Sequence, residues 1–454
     1  MGYIKLVKEV FVIMSVKVVK FGGSSLADAN QFRKVADIIR SDSKRKYVVP
    51  SAPGKRSSGD TKVTDMLYKC YELSASGQSI TEQFEKIKER YNGIISDLGV
   101  DISLEKEFEE IEYCLKAKSG RDYAASRGEY LNGLILAAYI GYKFIDAAEV
   151  IFFDDNGAFM LDKTIETLRE KLKNIECAVI PGFYGITLNG TIKTFSRGGS
   201  DITGSIISRA VRAEIYENWT DVSGVLIADP RIVEGAKVIK TITYKELREL
   251  SYMGATVLHE DAIFPVRTAG IPINIKNTND PSAEGTMIVS EENNEETNKT
   301  TITGIAGKKG FCAINIEKAM MNSEIGFVKK ILEILYKNNL SFEHIPSGID
   351  TMSIVLSSSS LEGKEETIIS QIRKEVNPDH IEVEHNIALL AVVGRRMYKT
   401  RGTAARVFAA LSHSRINIKM IDQGSSELNI IVGIGENDFE DAIRCIYSMF
   451  VDAE

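Results

Sequence analysis

The sequence predicts an α/β protein, a mainly parallel sheet covered by helices, followed by two small α+β units. Three observations carry this reading. The chain opens strand–loop–helix–strand, the signature of a parallel sheet. A polar run from Glu291 to Lys299 interrupts it. Behind that run lies an ungapped internal repeat, Gly326 to Leu356 aligning on Gly402 to Val432 at an offset of 76 residues.

The elements follow in order. Val16 to Phe21 is apolar enough for a buried strand and runs into Gly22-Gly23-Ser24-Ser25. Asp28 to Ile39 has helical spacing, and Tyr47 to Pro50 is a second strand. Ser79 to Lys118 alternates charged and apolar positions as helices do. Further strands are predicted at Phe144 to Ala148, Ala178 to Ile180, Ala213 to Glu217 and Ile273 to Lys276. In the repeat, strands Phe311 to Ile316 and Ile387 to Val393 each precede a helix. Each helix ends in a polar turn, Lys337-Asn338-Asn339 or His413-Ser414-Arg415. Strands Leu340 to Ile345 and Ile416 to Ile421 follow, then Met352 to Leu356 and Leu428 to Val432. Two such units side by side would hide their sheet edges.

Composition bounds the function. The 454 residues call for two to four domains. A net charge of -7 argues against a nucleic-acid surface. The apolar stretch Val10 to Met14 is too short to span a bilayer, and residues 1–15 are expected to be an extension, with Met1 and Met14 both open as the native start. Five scattered cysteines fit reduced thiols in a cytoplasmic protein, and they share no metal-ligand spacing with the five histidines, so no protein-held metal is expected.

Four segments carry candidate chemistry. Lys20 to Ser25 is a glycine turn after a strand. Without Cβ atoms, its backbone N–H groups can approach phosphate oxygens, Lys20 adds a positive charge, and the helix behind adds its dipole. The plain alternative is an ordinary turn. Phe195 to Asp201 is a second glycine turn with a cation and a carboxylate, or a loop in which Asp201 only caps a helix. Thr220-Asp221-Val222-Ser223-Gly224 with Asp229-Pro230-Arg231 suits ribose, adenine edge and phosphates, or is a polar loop closed by a proline turn. Ser126-Arg127-Gly128-Glu129 precedes an apolar helix, Tyr130 to Tyr139. Glu129 there either accepts from a substrate ammonium or is a first-turn glutamate favoured by the helix dipole.

In order and spacing these segments resemble the amino-acid kinase family and, within it, the aspartate kinases, closest to the monofunctional, lysine-sensitive type of Gram-positive bacteria. Further matching stretches are Ser51-Ala52, Val63-Thr64-Asp65, Pro181-Gly182-Phe183 and Met253 to His259, and the resemblance runs from Val16 to the C-terminus. It implies a three-layer αβα, carbamate-kinase-like domain over 16–290 with an eight-stranded sheet, a linker at 291–300, and two ferredoxin-like ACT domains at 301–380 and 381–454. The implied reaction is transfer of the γ-phosphoryl of ATP, with Mg²⁺, to the side-chain carboxylate of L-aspartate. That is the first step towards lysine, threonine and methionine. Lys20 and Asp201 would be catalytic. Ser51, Thr64, Glu129 and Arg197 would bind aspartate, Glu129 taking its ammonium and Arg197 its α-carboxylate. Lys20, Gly22, Gly23, Ser24, Thr220, Asp221, Leu226 and Arg231 would face the nucleotide.

The ACT pair implies an amino-acid effector, lysine or lysine with threonine. Its site would use Met321, Glu324, Phe327, Val328, Ser341, Phe342, Glu343 and Ser347. The pair also implies a homodimer, with pairing into tetramers left open. One departure stands out: relatives often carry a phosphate-contacting lysine where this chain has Thr256, and Glu260 replaces a proline, which leaves the source of that charge open. Competing readings are glutamate 5-kinase, acetylglutamate kinase, a nucleoside-monophosphate kinase, or a catalytically silent amino-acid sensor. The Ser-Arg-Gly-Glu block and the ACT pair argue against the kinases, and the retained Lys20, Arg197 and Asp201 against the sensor. A fused homoserine dehydrogenase is not expected at this length.

Overall fold

The computed structural model describes residues 15–196, 198–255, 258, 260–290 and 301–452. The expectations on Arg197 and Thr256, the extension up to Met14 and the linker at 291–300 lie outside them. The chain divides into two compact units, one formed by residues 1–225 and 258–294, the other by 226–257 and 295–454. Residues 226–257, expected with the first domain, therefore group with the C-terminal one. Among the described residues no helix is long and apolar enough to cross a membrane.

The first unit begins with β1 (Lys17–Phe21), α1 (Ala29–Arg40), β2 (Arg45–Pro50), α2 (Val63–Ala75), α3 (Thr81–Leu98), α4 (Glu105–Lys116) and α5 (Arg121–Ile140). It continues through β3 (Lys143–Phe144), β4 (Phe152–Phe153), α6 (Leu161–Leu172), β5 (Ala178–Val179), β6 (Tyr184–Thr187), β7 (Ile192–Thr194), α7 (Gly199–Val211) and β8 (Ile215–Thr220). The chain then contributes β9 (Thr241–Thr243) and α8 (Tyr244–Tyr252) to the second unit. It returns with α9 (Glu260–Thr268), β10 (Ile273–Asn277) and β11 (Thr286–Val289).

Within the first unit the main sheet runs β3–β5–β2–β1–β8–β10–β11, parallel except for the β10–β11 pair. Alternation along the strands divides their side chains between two layers. Val19, Phe21, Val48 and Trp219 enter one core with apolar residues of α1 to α5. Lys20 and Asn218, at the alternate positions, reach Asp201 of α7 instead. Helix α1 shows why the layers hold: Phe32, Val35, Ala36 and Ile39 form one buried stripe, and the Asp28 carboxylate caps its start by accepting from the Gln31 amide.

Two predicted boundaries move. The strand expected over Phe144 to Ala148 ends at Phe144, because Asp146 accepts from the Ala148 amide at 2.9 Å and turns 147–149 into a short helical turn. Helix α5 starts at Arg121, so Glu129 lies mid-helix and a first-turn dipole role does not apply.

The second unit continues with β12 (Gly304–Glu317), α10 (Phe327–Lys337), β13 (Thr351–Ser357), α11 (Ser358–Leu361), α12 (Glu365–Val376), β14 (His380–Val393), α13 (Thr403–His413), β15 (Ile418–Asp422), β16 (Asn429–Gly435) and α14 (Phe439–Tyr447). One antiparallel sheet, β13–β12–β14–β16–β15, runs through both repeats. The two long strands are shared. Phe311–Glu317 pairs with His380–Ile387 in the first repeat, whereas Gly304–Lys308 pairs with Leu389–Val393 in the second. A boundary at 380/381 thus falls at the head of one 14-residue strand. The strand expected over Leu340 to Ile345 is only one isolated bridge, His344 with Val355, with a second just beyond it, Ser347 with Met352. Pro346, just beyond the segment, has no N–H to extend a ladder, and Phe342 stays 43% exposed.

Candidate active site and effector region

Strand β1 delivers Lys20 to the sheet's C-terminal end and then turns at Gly22. Lys20 stands in register with Asn218 on β8. Its Nζ lies 2.7 Å from Asp201 Oδ1, and the Asn218 amide donates to that same oxygen at 2.7 Å. Lys20 also donates to Asn218 Oδ1 at 3.4 Å, which closes a three-residue ring. Asp201 sits in the first turn of α7 behind Gly198, whose φ of 56° is left-handed, and makes no capping bond. Its carboxylate is therefore committed to the lysine and the amide, not to the helix end.

The turn is built for close approach. A Cβ on Gly23 would stand 2.8 Å from the Ala52 carbonyl oxygen and 3.2 Å from the Gly54 nitrogen. Gly54 N–H donates to Gly23 O at 2.8 Å, and Gly22 N–H to Trp219 O at 3.0 Å. Ser24 lies in the short helical turn that follows, and Ser25 shares a 2.7 Å bond with Thr278. The helix expected over Asp28 to Ile39 runs from Ala29 to Arg40, and the Asp28 carboxylate caps its N-terminus, so that end of its dipole is already answered. Arg90 clamps the opposite side: it donates to Ala27 O at 2.9 Å and Gly54 O at 2.8 Å, and pairs with Asp60 at 2.7 Å.

Helix α5 presses against the end of β2, because Gly128 brings its backbone close to Ala52. Glu129 follows, buried, with Oε2 free of any partner among the described residues. Burial pushes its carboxyl up to about 8, although the Ala52 amide donates to it. Asn132, one turn on, donates through Nδ2 to Ser51 O at 2.7 Å. Ser51 and Thr64 are both half-buried, Ser51 just past β2 and Thr64 in the first turn of α2. Arg127 is held instead among the rings of Tyr123, Tyr130 and Tyr184, 4.8, 4.6 and 5.2 Å from their centroids.

Thr220 ends β8. Its hydroxyl donates to Asp221 at 3.1 Å, and its carbonyl accepts from the Thr278 amide. Leu226 and Arg231 belong to the second unit. Arg231 is exposed and forks onto Asp229 at 2.6 and 3.0 Å, which draws the Asp229 carboxyl below its usual range.

In the second unit the expected effector residues divide by burial. Met321 and Phe327 are buried in the first repeat's core. Glu324 is taken by Lys318 and Lys330, whose hydrogen bonds lower its pKa. Val328, Ser341, Phe342 and Ser347 are exposed, and Glu343 accepts from the Tyr252 hydroxyl, which raises that phenol to about 12. Residues around Met321 adjoin those around Ser347, since Asn322 N–H donates to Ile349 O at 3.1 Å.

Sequence reasoning missed Asn218, Asn132 and Arg90. The first two carried a signal: Asn218 is two residues before Thr220 on the same strand, and Asn132 is three after Glu129 on the same helix face. Arg90 gave none, being distant in sequence from everything it holds.

The sequence matches the amino acid kinase family over residues 15–277 and an ACT domain over 390–450. It is 42% identical to aspartokinase 3 of Bacillus subtilis over 450 residues, 96% of this chain and 98% of that one. The crystal structure of Clostridium acetobutylicum aspartate kinase, described as an allosteric enzyme, superposes with a TM-score of 0.90 at 57% identity, covering 96% and 100% of the two chains. E. coli aspartokinase III, solved with aspartate and ADP, superposes at 0.72 with 25% identity, covering 96% and 99%. The same enzyme with lysine and aspartate superposes at 0.71 with 26% identity and the same coverage.

Proposed function

The chain belongs to the amino acid kinase family and, within it, to the aspartokinases; from that premise we propose how its residues phosphorylate aspartate and sense an amino acid. The reaction moves the γ-phosphoryl of ATP onto the side-chain carboxylate of L-aspartate, giving 4-phospho-L-aspartate. The observation that carries the site is the Lys20–Asp201 pair at 2.7 Å beside the Gly22-Gly23 turn.

The nucleophile is already ionised at neutral pH, so no base is needed. Catalysis reduces to positioning and to neutralising charge on the transferring group. Lys20, aimed by Asp201 and Asn218, meets that charge. Gly23 and Ser24 offer backbone N–H groups, Gly22 shapes the turn with its own N–H given to Trp219 O, and Thr220 and Asp221 face the nucleotide. Glu129 receives the substrate's ammonium and Arg197 its α-carboxylate, with Ser51 and Thr64 lining the pocket. Mg²⁺ would come with the nucleotide. Among the described residues no three His, Cys, Asp or Glu side chains gather as a metal site, and the ion would be held chiefly by phosphate oxygens and water. Steady-state assays of Lys20→Ala against wild type, offering aspartate, glutamate and UMP, test the assignment.

The repeats carry the effector site. Lysine is the preferred ligand, with threonine as the other candidate, and Glu343 supplies the charge that selects a cationic side chain. The exposed apolar side chains Ile325, Val328, Phe342 and Ile349 on the first repeat suit a homodimer contact through these domains, and pairing into tetramers remains an outcome of a mass measurement. Five free thiols accord with a cytoplasmic location.

A further inference from the structure

We propose that Asn132 is a second binding residue for the substrate's ammonium, its Oδ1 and the Oε2 of Glu129 together accepting from one –NH₃⁺ group. This rests on the reading of Glu129 above and extends it to a residue that reading leaves out.

The orientation of the amide is settled by its partner. Ser51 O can only accept, so the atom 2.7 Å from it must be Nδ2, and Oδ1 is the atom left without a partner. Asn132 is wholly buried, as is Oε2 of Glu129, which also has no partner among the described residues. Buried polar atoms are nearly always paired, so two orphaned acceptors together call for an explanation. They are three residues apart on α5, hence on one face, with Cβ atoms about 5–6 Å apart. Consecutive residues tether both side chains: the Ala52 amide donates to Glu129, and Ser51 O accepts from Asn132. Both side chains are therefore anchored at the same strand end.

The missing group must be a donor without acceptors, small, and positive enough to ionise a carboxyl that burial keeps protonated. A primary ammonium has three N–H donors and meets all three needs. A carboxylate or phosphate would meet only oxygen atoms. Asn132 thus contributes to specificity, favouring an α-amino acid over a dicarboxylate that lacks the amino group.

The test compares aspartate with succinate, which has both carboxylates and no amino group, on the full-length chain. Dissociation constants for both are measured in wild type, Asn132→Leu and Glu129→Gln. A lost hydrogen bond to a charged group should weaken aspartate binding to Asn132→Leu by roughly tenfold or more and leave succinate nearly unchanged, so the aspartate-to-succinate preference falls. Equal weakening of both ligands would mean that Asn132 only holds Ser51, and an unchanged preference would remove it from the ammonium site; either result overturns the proposal. Glu129→Gln separates the two levels: if it too leaves the preference intact, the Glu129 reading fails, whereas a fall in Glu129→Gln but not in Asn132→Leu sinks the Asn132 proposal only. The preference is a ratio within one variant, so partial unfolding cancels, and Asn132→Ser supplies the same ratio if the leucine variant does not fold.

Discussion

Lys20 and Asn218 stand opposite each other in register on adjacent parallel strands, and both donate to the same oxygen of Asp201. The carboxylate is thereby fixed from two sides, and the ammonium of Lys20 is held at the mouth of the glycine turn. Lys20→Ala should lower kcat by roughly two to four orders of magnitude, with a smaller change in the KM for aspartate. Asn218→Leu keeps the lysine but loosens Asp201, and a milder fall in kcat with both KM values preserved is expected. Initial-rate kinetics decide both, and a Lys20→Ala enzyme with near-normal kcat would remove Lys20 from the chemistry.

Gly23 faces backbone, which cannot rotate out of the way. A methyl group there meets the Ala52 carbonyl oxygen at 2.8 Å. Gly23→Ala should therefore displace the turn, costing about 1–3 kcal/mol of stability and raising the KM for ATP more than that for aspartate. Chemical denaturation and two-substrate kinetics measure the two effects. A variant with unaltered ATP dependence would show that the turn does not hold phosphate.

Glu129 gives a pH signature. Its carboxyl is raised by burial from 4.5 to about 8 in the folded chain. A raised pKa contributes stability that is fully present below the unfolded value and is lost as pH climbs through the folded one. The protein without substrate should thus lose stability between about pH 4.5 and pH 8, by a few kcal/mol at most, and Glu129→Gln should flatten that slope. Aspartate supplies an ammonium that favours the ionised carboxyl, so it should raise Tm more at pH 8 than at pH 6. Thermal melts across this range, with and without aspartate, provide the check.

Glu343 belongs to the second unit, whereas Lys20 and Asp201 belong to the first. Glu343→Ala should abolish inhibition by lysine while leaving uninhibited kcat near normal. Tyr252→Phe removes the hydroxyl that donates to Glu343 and should shift the lysine concentration for half-inhibition by severalfold. Lysine titrations of the three proteins decide it. Unchanged sensitivity in Glu343→Ala would take Glu343 out of the site, and an absence of any lysine effect on wild type would leave threonine binding or dimerisation as the role of the repeats.

Much of the first unit was legible because its signals are local. The apolar run of β1, the glycine turn after it and the spacing of α1 all follow from neighbours within a dozen residues. The errors arose where a side chain or a distant strand overrode local preference. Asp146 ended a predicted strand by bonding to the Ala148 amide. Leu340 to Ile345 looked like a strand but formed only one isolated bridge. Helix α5 began well before the apolar stretch that suggested it, because Gly120 supplies its start with a φ of 100°.

By itself the sequence determined the family and the order of elements, and it offered residue types suited to phosphate, carboxylate and ammonium, since glycine turns, charges and periodicity are properties of the chain. Only the tertiary structure decided which of them meet. Lys20 reaches Asp201 across 181 positions because β1 and β8 are adjacent in a parallel sheet whose crossover brings α7 over both. It likewise decided that Asn132 and Glu129 share a buried strand end with orphaned oxygens, and that Gly304–Lys308 pairs into the second repeat instead of the first. Hydrogen bonding and desolvation act between atoms close in space, and the distance between two residues is set by packing, which no local pattern in the chain encodes.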